Sequence, residues 1–121
     1  SLTHYIERKP AHREYTMMAW PIDDYDYLVS ATEHLIGRVY KCTGFAVKKE
    51  ETEDASLYLY DIGGGTQKYI YLQYSGQYDF QLNVTYDIYA DVIGSYKNYP
   101  LLIARFIYDH TEPESTANTG G

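Results

Sequence analysis

The chain has few of the residues that form covalent cross-links or bind polyanions. One cysteine, Cys42, among 121 residues excludes an internal disulfide and favours a reducing compartment, either a host cytoplasm or a virion. Ten lysines and arginines oppose 17 acidic residues, which gives a net charge of −7. This balance predicts that neither nucleic acid nor an anionic membrane is a partner. A basic protein, or a second copy of the chain, suits the charge better.

Long apolar runs are also missing. No segment approaches the length of a transmembrane helix, and residues 1–20 lack the apolar core of a signal peptide. The length predicts one domain with one modest core. We expect residues 1–12 to form a flexible arm, residues 13–110 a single domain and residues 111–121 a disordered tail, because that tail has no apolar anchor.

Catalytic and metal-binding signatures are absent as well. Glu33-His34 lacks the second histidine, four residues away, that a zinc-binding helix needs. The acidic groups do not follow the spacing of an EF-hand loop, and no serine lies in a G-x-S-x-G motif. The sequence therefore predicts no catalytic residue, no metal and no cofactor, and a chain that is not an enzyme.

A glycine-rich segment suggests one alternative to that conclusion. Asp61-Ile-Gly-Gly-Gly-Thr66 resembles the phosphate-binding hairpin of actin-like and heat-shock-chaperone ATPases. Consecutive glycines let backbone amides approach an anion closely. The resemblance covers six residues, whereas those ATPases have two large lobes. The triple glycine therefore predicts a turn, with nucleotide binding as the alternative.

Tyrosine is the residue the chain has in excess, with 16 tyrosines against 3 phenylalanines. Residues 56–74 alternate apolar and aromatic side chains on both sides of the glycines, which predicts a β-hairpin. A two-residue turn at Gly64-Gly65 would pair Tyr60 with Tyr69, so that one face is aliphatic and the other aromatic. Because tyrosine is favoured at protein interfaces, we predict that this aromatic face binds a partner. Its four residues are Tyr58, Tyr60, Tyr69 and Tyr71.

The remaining patterns indicate the fold class. Apolar residues recur at helical spacing up to about Tyr40, which predicts a helix capped by Asp23 or Asp24. Asp24 and Asp26 suit the positive end of its dipole. We therefore predict an α+β domain: an antiparallel sheet with a hairpin and meander core, packed on one face by one main amphipathic helix. Residues 101–108 fit either a buried strand or a helix.

The order of these segments resembles a known class of proteins. A helix with Leu35-Ile-Gly-Arg-Val39 precedes the tyrosine hairpin, a strand with Val84-Thr-Tyr-Asp-Ile-Tyr-Ala-Asp91 follows it, and Asn98-Tyr-Pro-Leu-Leu102 comes next. This arrangement is similar to the tail-terminator and neck proteins that complete the head–tail junction of tailed phages. The resemblance implies a small α+β domain that assembles into rings.

These observations together favour a binding role. We expect a non-enzymatic protein–protein interaction domain, most specifically an assembly subunit of a phage or virus-like particle. Two alternatives remain: a small acidic inhibitor or immunity protein that binds a basic target, and a carbohydrate-binding module with an aromatic platform.

Overall fold

The computed structural model describes residues 12–110, so the predicted terminal arm and tail lie mostly outside the described residues. Within this range the chain is mainly β. No helix in this range is long and apolar enough to cross a membrane. The elements, in chain order, are α1 (His12–Met18), β1 (Trp20–Pro21), α2 (Tyr25–Ser30), a 3-10 helix (Thr32–Leu35), β2 (Val39–Glu51), β3 (Ser56–Asp61), β4 (Tyr69–Gln73), β5 (Thr85–Tyr96) and β6 (Tyr99–Asp109).

Strands β2 to β6 close into a five-stranded barrel. Their order around the barrel is β2-β3-β4-β6-β5, and β5 pairs with β2 to complete the circle. β4 and β6 are parallel and the other barrel pairs are antiparallel. Small barrels of this kind include the OB-folds, which have many unrelated functions, so the function must be argued from the side chains.

The long strand β2 makes closure possible because it has two successive partners. Its first half, from Val39 to Phe45, pairs with β5, and its second half, from Phe45 to Glu51, pairs with β3. Alternation then divides its side chains between two environments: Tyr40, Cys42 and Ala46 are buried, whereas Lys41 and Thr43 are exposed.

The barrel interior combines large and small side chains. Tyr60 is fully buried, and so are the small residues Ala46, Ala90 and Ala104 on other strands. Leu28 and Leu35 join the core from α2 and the 3-10 helix, and Phe80 joins it from the loop before β5. The strand residues of this core include Cys42, Ala46, Tyr58, Tyr60, Ile70, Leu72, Ile88, Ala90, Leu102 and Ala104.

The predicted α+β fold with one main amphipathic helix is wrong. Of the two expected caps, Asp24 is the one used: its carboxylate accepts a hydrogen bond from the Tyr27 amide, but α2 ends at Ser30. The Thr32 hydroxyl then bonds to the carbonyls of Leu28 and Val29, and a 3-10 helix follows. The chain is already in β2 at Val39, because pairing with β5 and β3 outweighs the local helical spacing.

The structure also decides the segments that the sequence left open. Residues 12–18 form helix α1, and β5 extends to Tyr96. Residues 101–108, which fitted either element, belong to β6. The α+β domain implied by the phage-protein resemblance is therefore not the fold of this chain.

Candidate functional site

The four predicted contact tyrosines do not share a face. The hairpin of β3 and β4 is shifted by one residue from the predicted register, so Tyr58 pairs with Leu72 and Tyr60 with Ile70. A shift of one residue moves every side chain of a strand to the opposite face. Tyr58 and Tyr60 consequently belong to the barrel core, while Tyr69 and Tyr71 lie outside it. The partner-binding role of these four residues stays a prediction.

The glycine loop explains the shift. Instead of a two-residue turn, residues 62–68 form a longer loop around the buried carboxylate of Asp61. The two carboxylate oxygens accept hydrogen bonds from the amides of Gly63, at 2.7 Å, and Gln67, at 3.0 Å. This acidic side chain therefore lies inside the loop and already accepts hydrogen bonds from two of the loop amides. Both features disfavour the phosphate binding that the Asp61-to-Thr66 motif suggested.

Outside the barrel, Tyr69 and Tyr71 join two tyrosines that the sequence analysis missed. We call Tyr69, Tyr71, Tyr96 and Tyr99 the outer tyrosine cluster. Its closest pair is Tyr71 and Tyr96, with ring centroids 4.9 Å apart in an edge-to-face arrangement. Tyr71 is buried and the other three are half-buried. Edge-to-face packing directs these rings towards one another, whereas a carbohydrate platform needs an open ring face. The cluster therefore acts as a small second core.

A signal for this cluster was present in the sequence. Tyr96-Lys97-Asn98-Tyr99 is a tight turn flanked by tyrosines, and both central residues adopt positive φ, 51° and 71°. Such a turn is typical of a β-hairpin, and asparagine tolerates this conformation. The turn was not recognised in the sequence because lysine, Lys97, occupies its first central position.

The carboxylate of Glu50, a residue of β2, connects the outer tyrosine cluster to that strand. Glu50 accepts hydrogen bonds from the Lys97 ammonium group at 2.8 Å and from the Tyr71 hydroxyl at 2.7 Å. Its side chain is only 16% exposed. The Lys97 contact, followed by the Tyr71 contact, lowers the pKa of Glu50 to about 2.

We predict that this carboxylate contributes stability that is lost in acid. A lowered pKa means that the contribution is fully present above the unfolded-state value of about 4.3 and is lost as the pH falls towards 2. Glu50→Gln should therefore lower the free energy of unfolding at pH 7, and the difference from wild type should shrink towards pH 2. Urea unfolding at both pH values measures it. Glu53→Gln, in the exposed loop, is the control; an undiminished difference for Glu50→Gln at pH 2 would contradict the prediction.

Thr43, Asp87 and His110 form a polar cluster on the outer wall of the barrel. The Thr43 hydroxyl donates to Asp87 at 2.6 Å, and the His110 ring nitrogen Nδ1 lies 3.1 Å from the same carboxylate. Because the hydroxyl proton is directed to the carboxylate and not to the imidazole, this geometry does not activate Thr43 as a nucleophile. Burial raises the pKa of the Cys42 thiol to about 12, which leaves it protonated and unreactive at neutral pH. Within residues 12–110 no group of acidic, histidine or cysteine side chains could hold a metal ion.

Helix α1 covers another part of the same wall. Tyr15 and Phe106 pack edge to face with centroids 5.7 Å apart, beside Val39. The Tyr15 hydroxyl and the Arg105 guanidinium both donate to Asp91. Burial, together with the contact to Asp91, raises the pKa of Tyr15 well above its ordinary value. These contacts fix the start of the chain segment that leads to β1.

That segment presents an exposed apolar surface. Trp20 is 55% exposed, and Arg38 stacks over its ring with the guanidinium carbon 4.9 Å from the centroid. Arg38 also interacts with the hydroxyl of Tyr40, the residue that pairs with Trp20 in the sheet. Between residues 17 and 36, five large apolar side chains are more than half exposed. With Arg38, which stacks on Trp20, we call them the Trp20 surface: Met17, Met18, Trp20, Tyr27 and Ile36.

Sequence reasoning missed this surface because its residues come from three separate segments. Met17, Met18 and Trp20 fit the apolar part of a strand equally well, and Ile36 fits the predicted helix. Only their exposure in the folded chain distinguishes them from core residues. A comparison with known protein families and with curated protein sequences found no match.

Proposed function

We propose that this chain is a non-enzymatic protein–protein interaction domain that contacts its partner through the Trp20 surface. The observation that supports this most strongly is the composition of that surface. Tryptophan, tyrosine, methionine and arginine are the residues enriched in the buried centres of interfaces. Here Arg38 stacks on Trp20, and the elements before and after β1 carry the exposed side chains of Met17, Met18 and Tyr27. Large exposed apolar patches on soluble domains are commonly interaction sites.

The Trp20 surface supports this role better than the tyrosine hairpin does. Tyr58 and Tyr60 fill the barrel, so a partner could not reach them without unfolding it. Trp20, by contrast, lies on the short strand β1, which is outside the barrel. Its side chain is available for contact while the core remains intact.

We predict that Trp20→Ala removes partner binding without unfolding the domain. A central tryptophan typically contributes at least about 2 kcal/mol to an interface, which corresponds to a loss in affinity of roughly thirtyfold. The free energy of unfolding should change by less than about 1 kcal/mol, because the side chain is mostly exposed. Proteins captured from the source cells by the wild type and by Trp20→Ala are compared. A protein that the wild type captures and Trp20→Ala does not is then purified, and its affinity for both forms is measured by calorimetry.

Leu82→Ala is the matched control for this experiment. Leu82 is also exposed, at 41%, but it lies in the loop that precedes β5, away from the Trp20 surface. The control should bind the purified partner like the wild type. If both variants and the wild type recover the same proteins with the same affinities, the proposal is wrong.

Assembly into a phage or virus-like particle is a more specific form of the same proposal. A ring subunit needs two complementary surfaces on each chain, and the Trp20 surface could supply one of them. This form predicts an oligomer that grows with concentration in light scattering. A strict monomer would overturn the assembly role but leave binding to a different protein in place.

A further inference from the structure

We infer that a groove beside β1 binds the carboxyl-terminal end of a partner polypeptide, which pairs with β2 as a short strand. The groove has a volume of about 370 Å³. Among the described residues that line it, none belongs to the Trp20 surface. The site is therefore separate from that surface, and the inference goes beyond the proposed function.

The groove lies where three strands meet. Pro21 and Ile22 line it at the end of β1, and Ile62 lines it just after β3. Lys41 and Thr43 come from β2 between them. Most of the described lining residues are apolar, and Lys41 is the only charged one. The groove thus suits a ligand with an apolar body and a single anionic group.

The edge of β2 is open in this groove. β1 pairs with Tyr40 and Lys41, and β3 begins to pair at Phe45. Among the described strands, residues 42–44 have a partner only in β5. Such an edge presents backbone N–H and C=O groups with which an extended peptide can pair. The outer edge of β1 is a poorer template, because Pro21 has no backbone N–H.

The short length of this edge selects the end of a chain. At ~3.3 Å per residue, the open residues 42–44 span about 10 Å between the pairing of β1 and that of β3. Beside Gly44 the space is already filled by the carbonyl oxygen of Asp61. A strand that continued in both directions would collide with β1 or with β3. A chain end fits without displacing either, and the groove volume is at the lower end of the range for ligand pockets.

Lys41 favours a carboxyl end over an amino end. Its side chain is exposed, and it forms no ion pair with the described residues. Asp87, which lines an adjoining groove with Lys41, already accepts a hydrogen bond from the Thr43 hydroxyl at 2.6 Å and lies 3.1 Å from Nδ1 of His110. A terminal carboxylate would gain a charge-assisted hydrogen bond from Lys41, whereas a terminal ammonium group would be repelled.

A short peptide tests the inference. The probe is acetyl-alanyl-valyl-leucine with a free carboxylate, in about 150 mM NaCl, which screens the net charge of −7 beyond about 8 Å. In NMR spectra it should shift the amide signals of Cys42, Thr43 and Ile62, and calorimetry measures its affinity. The C-terminal amide of the same tripeptide lacks the charge and should bind at least about tenfold more weakly.

Two methylated peptides test whether the ligand binds as a strand. Neighbouring residues of a strand direct their backbone N–H groups to opposite edges, so only the valine or only the leucine amide can pair with β2. Of two tripeptides N-methylated at one of these amides, one should lose about tenfold in affinity and the other should bind nearly like the parent. 4-Methylpentanoate has the carboxylate and the apolar body without peptide groups, and should bind at least about tenfold more weakly than the tripeptide.

Matched lysine variants test the role of Lys41. Lys41→Gln should weaken binding of the free-acid tripeptide at least about tenfold and leave binding of the amide unchanged, because the amide has no charge to pair. Lys48→Gln is the control: Lys48 is an exposed lysine of the same strand that does not line the groove, and this variant should bind like the wild type. Circular dichroism shows whether both variants are folded.

Failure of this site is distinguishable from failure of the proposed function. The inference is overturned if the acid and the amide bind equally, if both lysine variants lose the same affinity, or if the two methylated peptides behave alike. Equal binding of 4-methylpentanoate, or no amide shift with any probe, also overturns it. Trp20→Ala should bind the tripeptide like the wild type, because Trp20 does not line the groove. Loss of a captured partner by that variant therefore concerns the Trp20 surface alone.

Discussion

Gly44→Ala is expected to destabilise the domain by about 3 kcal/mol or more, enough to prevent folding in a marginally stable protein. Gly44 lies in β2 close to Phe45, the residue at which the strand exchanges β5 for β3 as its partner. A β-carbon at this position would lie 2.0 Å from the carbonyl oxygen of Asp61. Because that oxygen belongs to the backbone, β2 and β3 would have to separate where the barrel closes.

Urea unfolding followed by circular dichroism measures this effect. Gly64→Ala is the control, since its β-carbon would meet open space and its cost comes only from a φ of 68°, about 1 kcal/mol. Equal stability losses for the two variants would show that the close approach of β2 and β3 is not required for closure.

Tyr60→Ala is expected to lower the free energy of unfolding by about 4 kcal/mol. Tyr60 is fully buried in the barrel, so the substitution leaves a large cavity. Its hydroxyl lies 2.7 Å from the Gly44 carbonyl oxygen and 3.0 Å from that of Tyr86. Tyr60→Phe retains the ring and loses only these hydrogen bonds, and should cost about 1–2 kcal/mol. Chemical denaturation of both variants tests the two values.

Tyr69→Ala provides the comparison outside the barrel. Tyr69 is half-buried in the outer tyrosine cluster, next to Tyr99 at a centroid distance of 5.8 Å, and its loss should cost about 1–2 kcal/mol. If Tyr60→Ala were no more destabilising than Tyr69→Ala, the assignment of Tyr60 to the core would be wrong. If Tyr60→Ala instead retained full stability and lost partner binding, the contact role predicted from the sequence would be supported.

The sequence predicted local features with mixed success. Alternation from residue 56 to residue 73 correctly indicated two strands joined by glycines, because the period of two follows from the geometry of a strand. The same pattern gave the wrong register, since both strands have apolar or aromatic side chains on each face. A cap at Asp23 or Asp24 was also visible, because capping depends only on residues about three positions apart, and Asp24 is the residue that forms it.

The candidate site was less accessible from the sequence. Pairing of Trp20 with Tyr40 and stacking of Arg38 on Trp20 join residues about 20 positions apart. Neither contact leaves a periodic signal in the chain. The exposure of Met17 and Met18 was equally hidden, because methionine in a sequence normally indicates a buried side chain.

The amino-acid sequence by itself determined the acidic charge, the single thiol, the single tryptophan, the glycine loop and the strand-forming character of the tyrosine segments, because each depends on composition or on neighbouring residues. Only the tertiary structure decided which tyrosines are inside. The one-residue register of β3 and β4 sets the face of each ring, and it is selected by the Asp61 loop. Pairing of β2 with β5 then closes the barrel and leaves Trp20 outside it. The sequence could not show this, because a barrel depends on contacts between distant strands and not on the apolar alternation within any one strand.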